Sequence, residues 1–107
     1  MKLVPLEEMS YATFAELLHS KFLVQESGST SVELELLEAT AHRSDSAQVQ
    51  PGNFSLIFVG PSDTLLTQRT YLFAHDKLGS FHLFIVPIGR DEQGTNYEAV
   101  FNRLIKN

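Results

Sequence analysis

A chain of 107 residues has room for one hydrophobic core, and an apolar fraction of 43% with eight Phe and three Tyr excludes a disordered polypeptide. Thirteen acidic against eight basic residues give a net charge of −5, with the Lys and Arg scattered, which argues against nucleic acid and anionic membrane as partners. The absence of cysteine excludes disulfides, thiolate metal sites and thiol nucleophiles.

Near the N-terminus, Glu7 and Glu8 fall where a signal peptide would continue its apolar run, and no later segment approaches the roughly 20 apolar residues of a membrane span. A single cytoplasmic domain over residues 1–107 is the default expectation. Tyr11, Phe14, Leu17 and Leu18 recur at spacings of three and four, which places them on one face of a short helix starting near Ser10, a suitable N-cap. From Lys21 the period becomes two: Phe22 and Val24 alternate with polar residues up to Ser27-Gly28-Ser29-Thr30-Ser31, a cluster with turn chemistry. Val32-Glu33-Leu34-Glu35-Leu36 is the return strand, acids on one face, and Leu37 breaks its alternation at a bulge or a corner. Ser44 to Asn53 is polar, carries Pro51-Gly52 and has no period, so a long mobile loop is expected there. Phe54-Ser55-Leu56-Ile57-Phe58-Val59 is a nearly continuous apolar run of the kind found in a strand buried on both faces, and Gly60-Pro61-Ser62-Asp63 ends it.

Thr70 to His75 and Ser80 to Val86 flank Asp76-Lys77-Leu78-Gly79 as the arms of a hairpin. With Lys77 and Leu78 as a two-residue turn, His75 faces Ser80, Phe73 faces His82 and Tyr71 faces Phe84 on one side; Leu72, Ala74, Phe81, Leu83 and Ile85 share the other, the expected core side. A four-residue loop with Gly79 at positive φ fits equally well. Pro87 cannot donate to a ladder, so the strand is expected to end there or to lie at a sheet edge. Ile88 to Asn96 reads as a polar loop, Tyr97 to Phe101 as the last strand, and Arg103 to Asn107 as a tail or helical turn. No helix separates consecutive strands, as a parallel sheet would need. The expected fold is therefore mainly β (α+β): about six antiparallel strands in a small barrel or curled sheet with one short N-terminal helix, a two-layer sandwich remaining open.

His75 and His82 share a face in that register, within reach of Asp76 or Glu98. A zinc ion takes three or four ligands, and His19 and His42 belong to other elements, so no metal site is assigned. Ser80, His75 and Asp76 have the residue types of a nucleophilic triad. Adjacent strand residues point to opposite faces, however, and a hairpin tip offers no oxyanion hole, so no catalytic residue is assigned. The carboxylate pairs Glu7/Glu8, Glu33/Glu35 and Asp91/Glu92 lack a desolvating environment, and Asp91 to Asn96 lacks EF-hand spacing. The six glycines stand at separate turns rather than in a phosphate loop, so no cofactor is expected.

Three segments taken together carry a likeness: Phe54-Ser55-Leu56-Ile57-Phe58-Val59-Gly60-Pro61; Thr70-Tyr71 with His75 and Leu78-Gly79; and Leu83-Phe84-Ile85-Val86-Pro87-Ile88-Gly89-Arg90-Asp91 running into Gly94 and Tyr97-Glu98-Ala99-Val100-Phe101-Asn102. They resemble a family of small bacterial proteins catalogued as a domain of unknown function. That resemblance implies no reaction, ligand or catalytic residue, and links the chain to phage-tail-like neighbours. The expected role is a non-enzymatic structural or protein-interaction module, accessory to such an assembly, pairing with a second copy or another protein through a sheet edge. The alternative is a small-molecule binding domain using Tyr71, Phe73, His75, His82 and Phe84 as a ligand or interaction face at the barrel mouth.

Overall fold

The computed structural model describes residues 3–5, 9–43 and 49–102. A short helix α1 (Tyr11–Ala15) precedes six strands: β1 (Lys21–Ser27), β2 (Thr30–Arg43), β3 (Val49–Gly60), β4 (Arg69–His75), β5 (Gly79–Asp91) and β6 (Gly94–Asn102). Every strand pairing is antiparallel, and the order β1-β2-β3-β6-β5-β4 closes on itself because β1 also pairs with β4. One ring of strands, rather than two stacked layers, is the architecture. Each half of the chain is a three-stranded meander, β1–β3 and β4–β6, and the two halves join through β3–β6 and β1–β4.

The long second strand of each meander bends. β2 pairs with β1 up to Glu35 and with β3 from Glu35 onward, and its register shifts between Leu36 and Glu38, so Leu37 is the extra residue of a bulge. β5 pairs with β4 up to Ile85 and with β6 from Val86. Between them the ladder is interrupted: among the described strands Gly79 to Ile85 pairs with β4 only, and Ala99 to Asn102 with β3 only. At one end of this interruption Val4 donates its N–H to the Ser80 carbonyl at 2.7 Å. Behind it sits α1, started by a capping box in which Ser10 and Thr13 each accept from the other's backbone N–H.

Seven of the eight Phe side chains are buried, and they fill the ring's interior. Phe22 meets Phe58, Phe73 and Phe81 edge-on or tilted, and Phe54 stacks on Phe101 at 4.2 Å between centroids. Phe14 touches Phe54, Phe81 and Phe101, joining the helix to that core.

Four details correct the sequence reading. In the β4–β5 hairpin His75 pairs with Gly79, Phe73 with Phe81, Leu72 with His82, and Thr70 with Phe84, around a three-residue turn with Gly79 at φ +88°. That one-residue difference in register exchanges the partners' faces. Second, β5 does not end at Pro87 but runs through it, the edge position being the alternative that holds. Because Ser80 turns its carbonyl away from β4, Pro87, seven residues on, presents its missing N–H towards β4, which begins only at Arg69 opposite Ile85, and no ladder bond is lost. A register shift between Pro87 and Gly89 absorbs the rest. Third, residues 49–53 of the expected loop belong to β3, where the pairing steps irregularly from Ala41↔Phe54 to Arg43↔Val49; residues 44–48 lie outside the described set, as does the expected tail 103–107. Fourth, Ile88 to Asn96 is no open loop: β5 and β6 pair from Val86↔Glu98 to Asp91↔Gly94 around Glu92-Gln93, with Asp91 Oδ1 accepting from the Gln93 N–H at 2.8 Å. Phe54, Leu56 and Phe58 are buried, whereas Ile57 and Val59 are half-buried on the outside, so β3 is covered fully on one face.

Candidate functional site

The corrected register divides the five face residues. Tyr71, Phe73 and His75 point into the ring, while His82 and Phe84 point outward and are exposed, Phe84 by 49%. No single pocket joins them. The Tyr71 hydroxyl donates to the Thr67 carbonyl at 2.7 Å, and its ring lies under the Arg69 guanidinium, which donates to the Glu26 carbonyl at 2.6 Å. Phe73 is fully enclosed by Phe22, Phe58 and Phe81.

His75 is 9% exposed and its ring centre lies 4.5 Å from that of Phe22. Lys77 donates its backbone N–H to Nδ1 at 3.0 Å, so the neutral ring carries its proton on Nε2 and donates it to Ser20 Oγ at 3.0 Å. Ser20 Oγ in turn donates to the Leu17 carbonyl. The chain ties the β4–β5 hairpin tip to the helix exit, where His19 adopts φ 70° and donates its N–H to the Leu36 carbonyl. Ser80, the serine suggested by sequence, pairs with Ala74 instead; Ser20 stands 55 residues from His75, and no local spacing could have indicated it. Asp76 is exposed at the turn.

Burial pushes the His75 imidazole below the ordinary value of 6.5, an effect the Asp76 carboxylate opposes and the Lys77 ammonium reinforces. Because the unfolded chain binds a proton more readily, the contribution of His75 is complete above 6.5 and is lost as pH falls from there through the folded value. Chemical denaturation across that range should show wild-type stability declining more steeply with acidification than His75→Gln. Equal slopes would refute the assignment.

Beside His75 a surface groove of about 400 Å³ is lined by Lys21, Leu23, Glu33, Ala74, Asp76 and Gly79. Across its rim Lys21 Nζ lies 3.0 Å from Glu35, whose carboxyl it holds below the usual carboxylate range, with His19 Nδ1 at 3.4 Å on the other oxygen. Among the described residues no cluster of three or more His, Asp or Glu is placed to hold a metal ion, and no helix is long and apolar enough to cross a membrane.

The exterior is uneven. On β1 and β2 the outward positions include Lys21, Gln25, Ser31, Glu33, Glu35, Glu38 and Thr40, with Leu23 as an exposed apolar side chain among them. On β3, β6, β5 and β4 they include Ile57, Val59, Val86, Val100, Phe84 and Leu72, interrupted by Ser55, Asn96, Glu98, His82 and Thr70. Val100 is 62% exposed. Extending the Val86↔Glu98 register by two residues sets Phe84 opposite Val100 across the interruption. Along the edges that sheet-edge docking would use, Ser80 is held by Val4 and Val86 by β6, while His82 to Phe84 on β5 and Val100 on β6 have a described strand on one side only.

A closed antiparallel sheet with its interior filled by aromatic rings defines a compact β domain. Residues 9–101 match the family described as a domain of unknown function (DUF6916), and the chain belongs to that family. No curated protein and no solved structure matches it.

Proposed function

We propose that this chain is a non-enzymatic structural or protein-interaction module. Phe84 carries the reading. Its seven fellow phenylalanines are buried, whereas Phe84 stands half-exposed beside Val100 on an outer face that mixes apolar Ile57, Leu72 and Val86 with Thr70, His82 and Glu98. Aromatic side chains on such a patch anchor protein–protein contacts, and a large exposed apolar area on a small domain marks an interaction site. The likeness to proteins with phage-tail-like neighbours suggests the kind of assembly such a module would serve. A small-molecule role would have to use the groove beside His75 rather than the five-residue face.

Cross-linking of the full chain in cells that carry its gene tests the reading. Phe84→Asp should lose its cross-linked protein products, while Leu65→Asp, at a residue 52% exposed in the β3–β4 connection, should keep them. Unchanged products in Phe84→Asp would overturn it.

A further inference from the structure

We propose that the outer face of β3, β6, β5 and β4 docks a second copy of this chain, face to face about a two-fold axis crossing the strands at the Phe84–Val100 row. The inference rests on the interaction-module reading and names its partner. Two features of the face favour self-association over an unrelated occupant. The first is the distribution of charge. The chain carries a net −5, yet three outward strand acids, Glu33, Glu35 and Glu38, lie on β2, against Glu98 on the β3, β6, β5 and β4 face, so two copies meeting through that face keep the β2 acids apart.

The second is the order of residues on the face itself. Glu98 lies two positions from Val100 on β6 and is paired in register with Val86; His82 lies two positions from Phe84 on β5, on the opposite side of the central row. The side chains of Glu98 and His82 have no hydrogen-bonding or ionic partner among the described residues. A two-fold axis across the strands at the centre sets Phe84 against Phe84 and Val100 against Val100 of the other copy. The same operation sets His82 of each copy over Val86 of the other, one strand across from that copy's Glu98, so the imidazole and the carboxylate meet diagonally, twice. A surface that is its own complement in both apolar and polar positions is what an isologous dimer requires.

Sedimentation of the purified full chain over a wide concentration range provides the test, with circular dichroism to verify that each variant is folded. Wild type should pass reversibly from monomer to dimer. Phe84→Asp should remain monomeric with unchanged thermal stability, because its side chain lies outside the core. His82→Glu, which sets carboxylate against Glu98 of the other copy, should weaken the dimer by about tenfold or more. Adding Glu98→Lys to that variant should restore it. A merely structural role for His82 would leave the double variant no better than the single one, and that result would overturn the proposal. A chain monomeric at every concentration would overturn it too. In that case cross-linking from position 100 separates the two readings: joining to a different polypeptide removes the second copy and keeps the interaction module, and no product removes both.

Discussion

Phe14→Ala is expected to lower folding stability by about 3–5 kcal/mol, measured by urea denaturation. α1 has five residues, far fewer than an isolated helix needs to persist in water, so its position depends on what it buries. Phe14 is its one fully buried side chain, with ring centroids of Phe101, Phe54 and Phe81 at 5.7, 6.0 and 6.1 Å. It thereby fills the place where β5 and β6 part, and alanine would leave a cavity facing three aromatic rings. Neighbouring strands on both sides are fixed by their ladders and cannot collapse into it. A loss below about 1 kcal/mol would mean that the helix does not plug the ring.

Gly94→Ala should be at least as damaging, costing more than about 3 kcal/mol or preventing folding. Gly94 opens β6 at φ +144°, a conformation that side-chain-bearing residues rarely adopt, and an added Cβ would overlap the Gly60 carbonyl oxygen and crowd Val59 Cγ2 at 3.1 Å. Backbone on β3, not a flexible side chain, is the obstacle, so no rotamer change relieves it. Gly89→Ala supplies the comparison: nothing lies within 4 Å of its added Cβ, and its effect should stay within about 0.5 kcal/mol. Thermal melts of the two variants in parallel separate a steric requirement from a general intolerance of alanine. Similar melting temperatures would contradict the account.

Much of this was legible in the sequence, for reasons that can be named. Two-residue alternation after Lys21 marked strands such as Val32 to Leu36 and Tyr97 to Phe101, because one face of each had to be apolar, and the continuous apolar run Phe54 to Val59 marked β3 although only one of its faces is fully covered. Ser10 announced its capping role, and Leu37 its bulge, since both are local signals. The hairpin register was another matter. Asp76-Lys77-Leu78-Gly79 fits turns of different lengths, and a difference of one residue decides whether Phe73 meets Phe81 in the core or His82 on one face. That slip produced the five-residue ligand face and hid the partition of His75 from His82. Pairings such as β3–β6 and His75–Ser20 join residues far apart in the chain, where a single sequence offers no periodicity to follow. The outward run of Ile57, Val86, Val100 and Phe84 was visible as apolar excess, but only the ring's closure shows that these side chains cannot all turn inward.

The joint between β1 and β4 consists of three register pairs, Leu23↔Ala74, Val24↔Phe73 and Gln25↔Leu72, whereas β3 and β6 are zipped over eight. The molecule thus behaves as a bracelet with a small clasp opposite a long spine. Heating or pulling should unfasten the clasp first and let two self-contained meanders swing about the β3–β6 spine, with the amides of Gln25 and Leu72 exposed before those of Leu56 and Ala99.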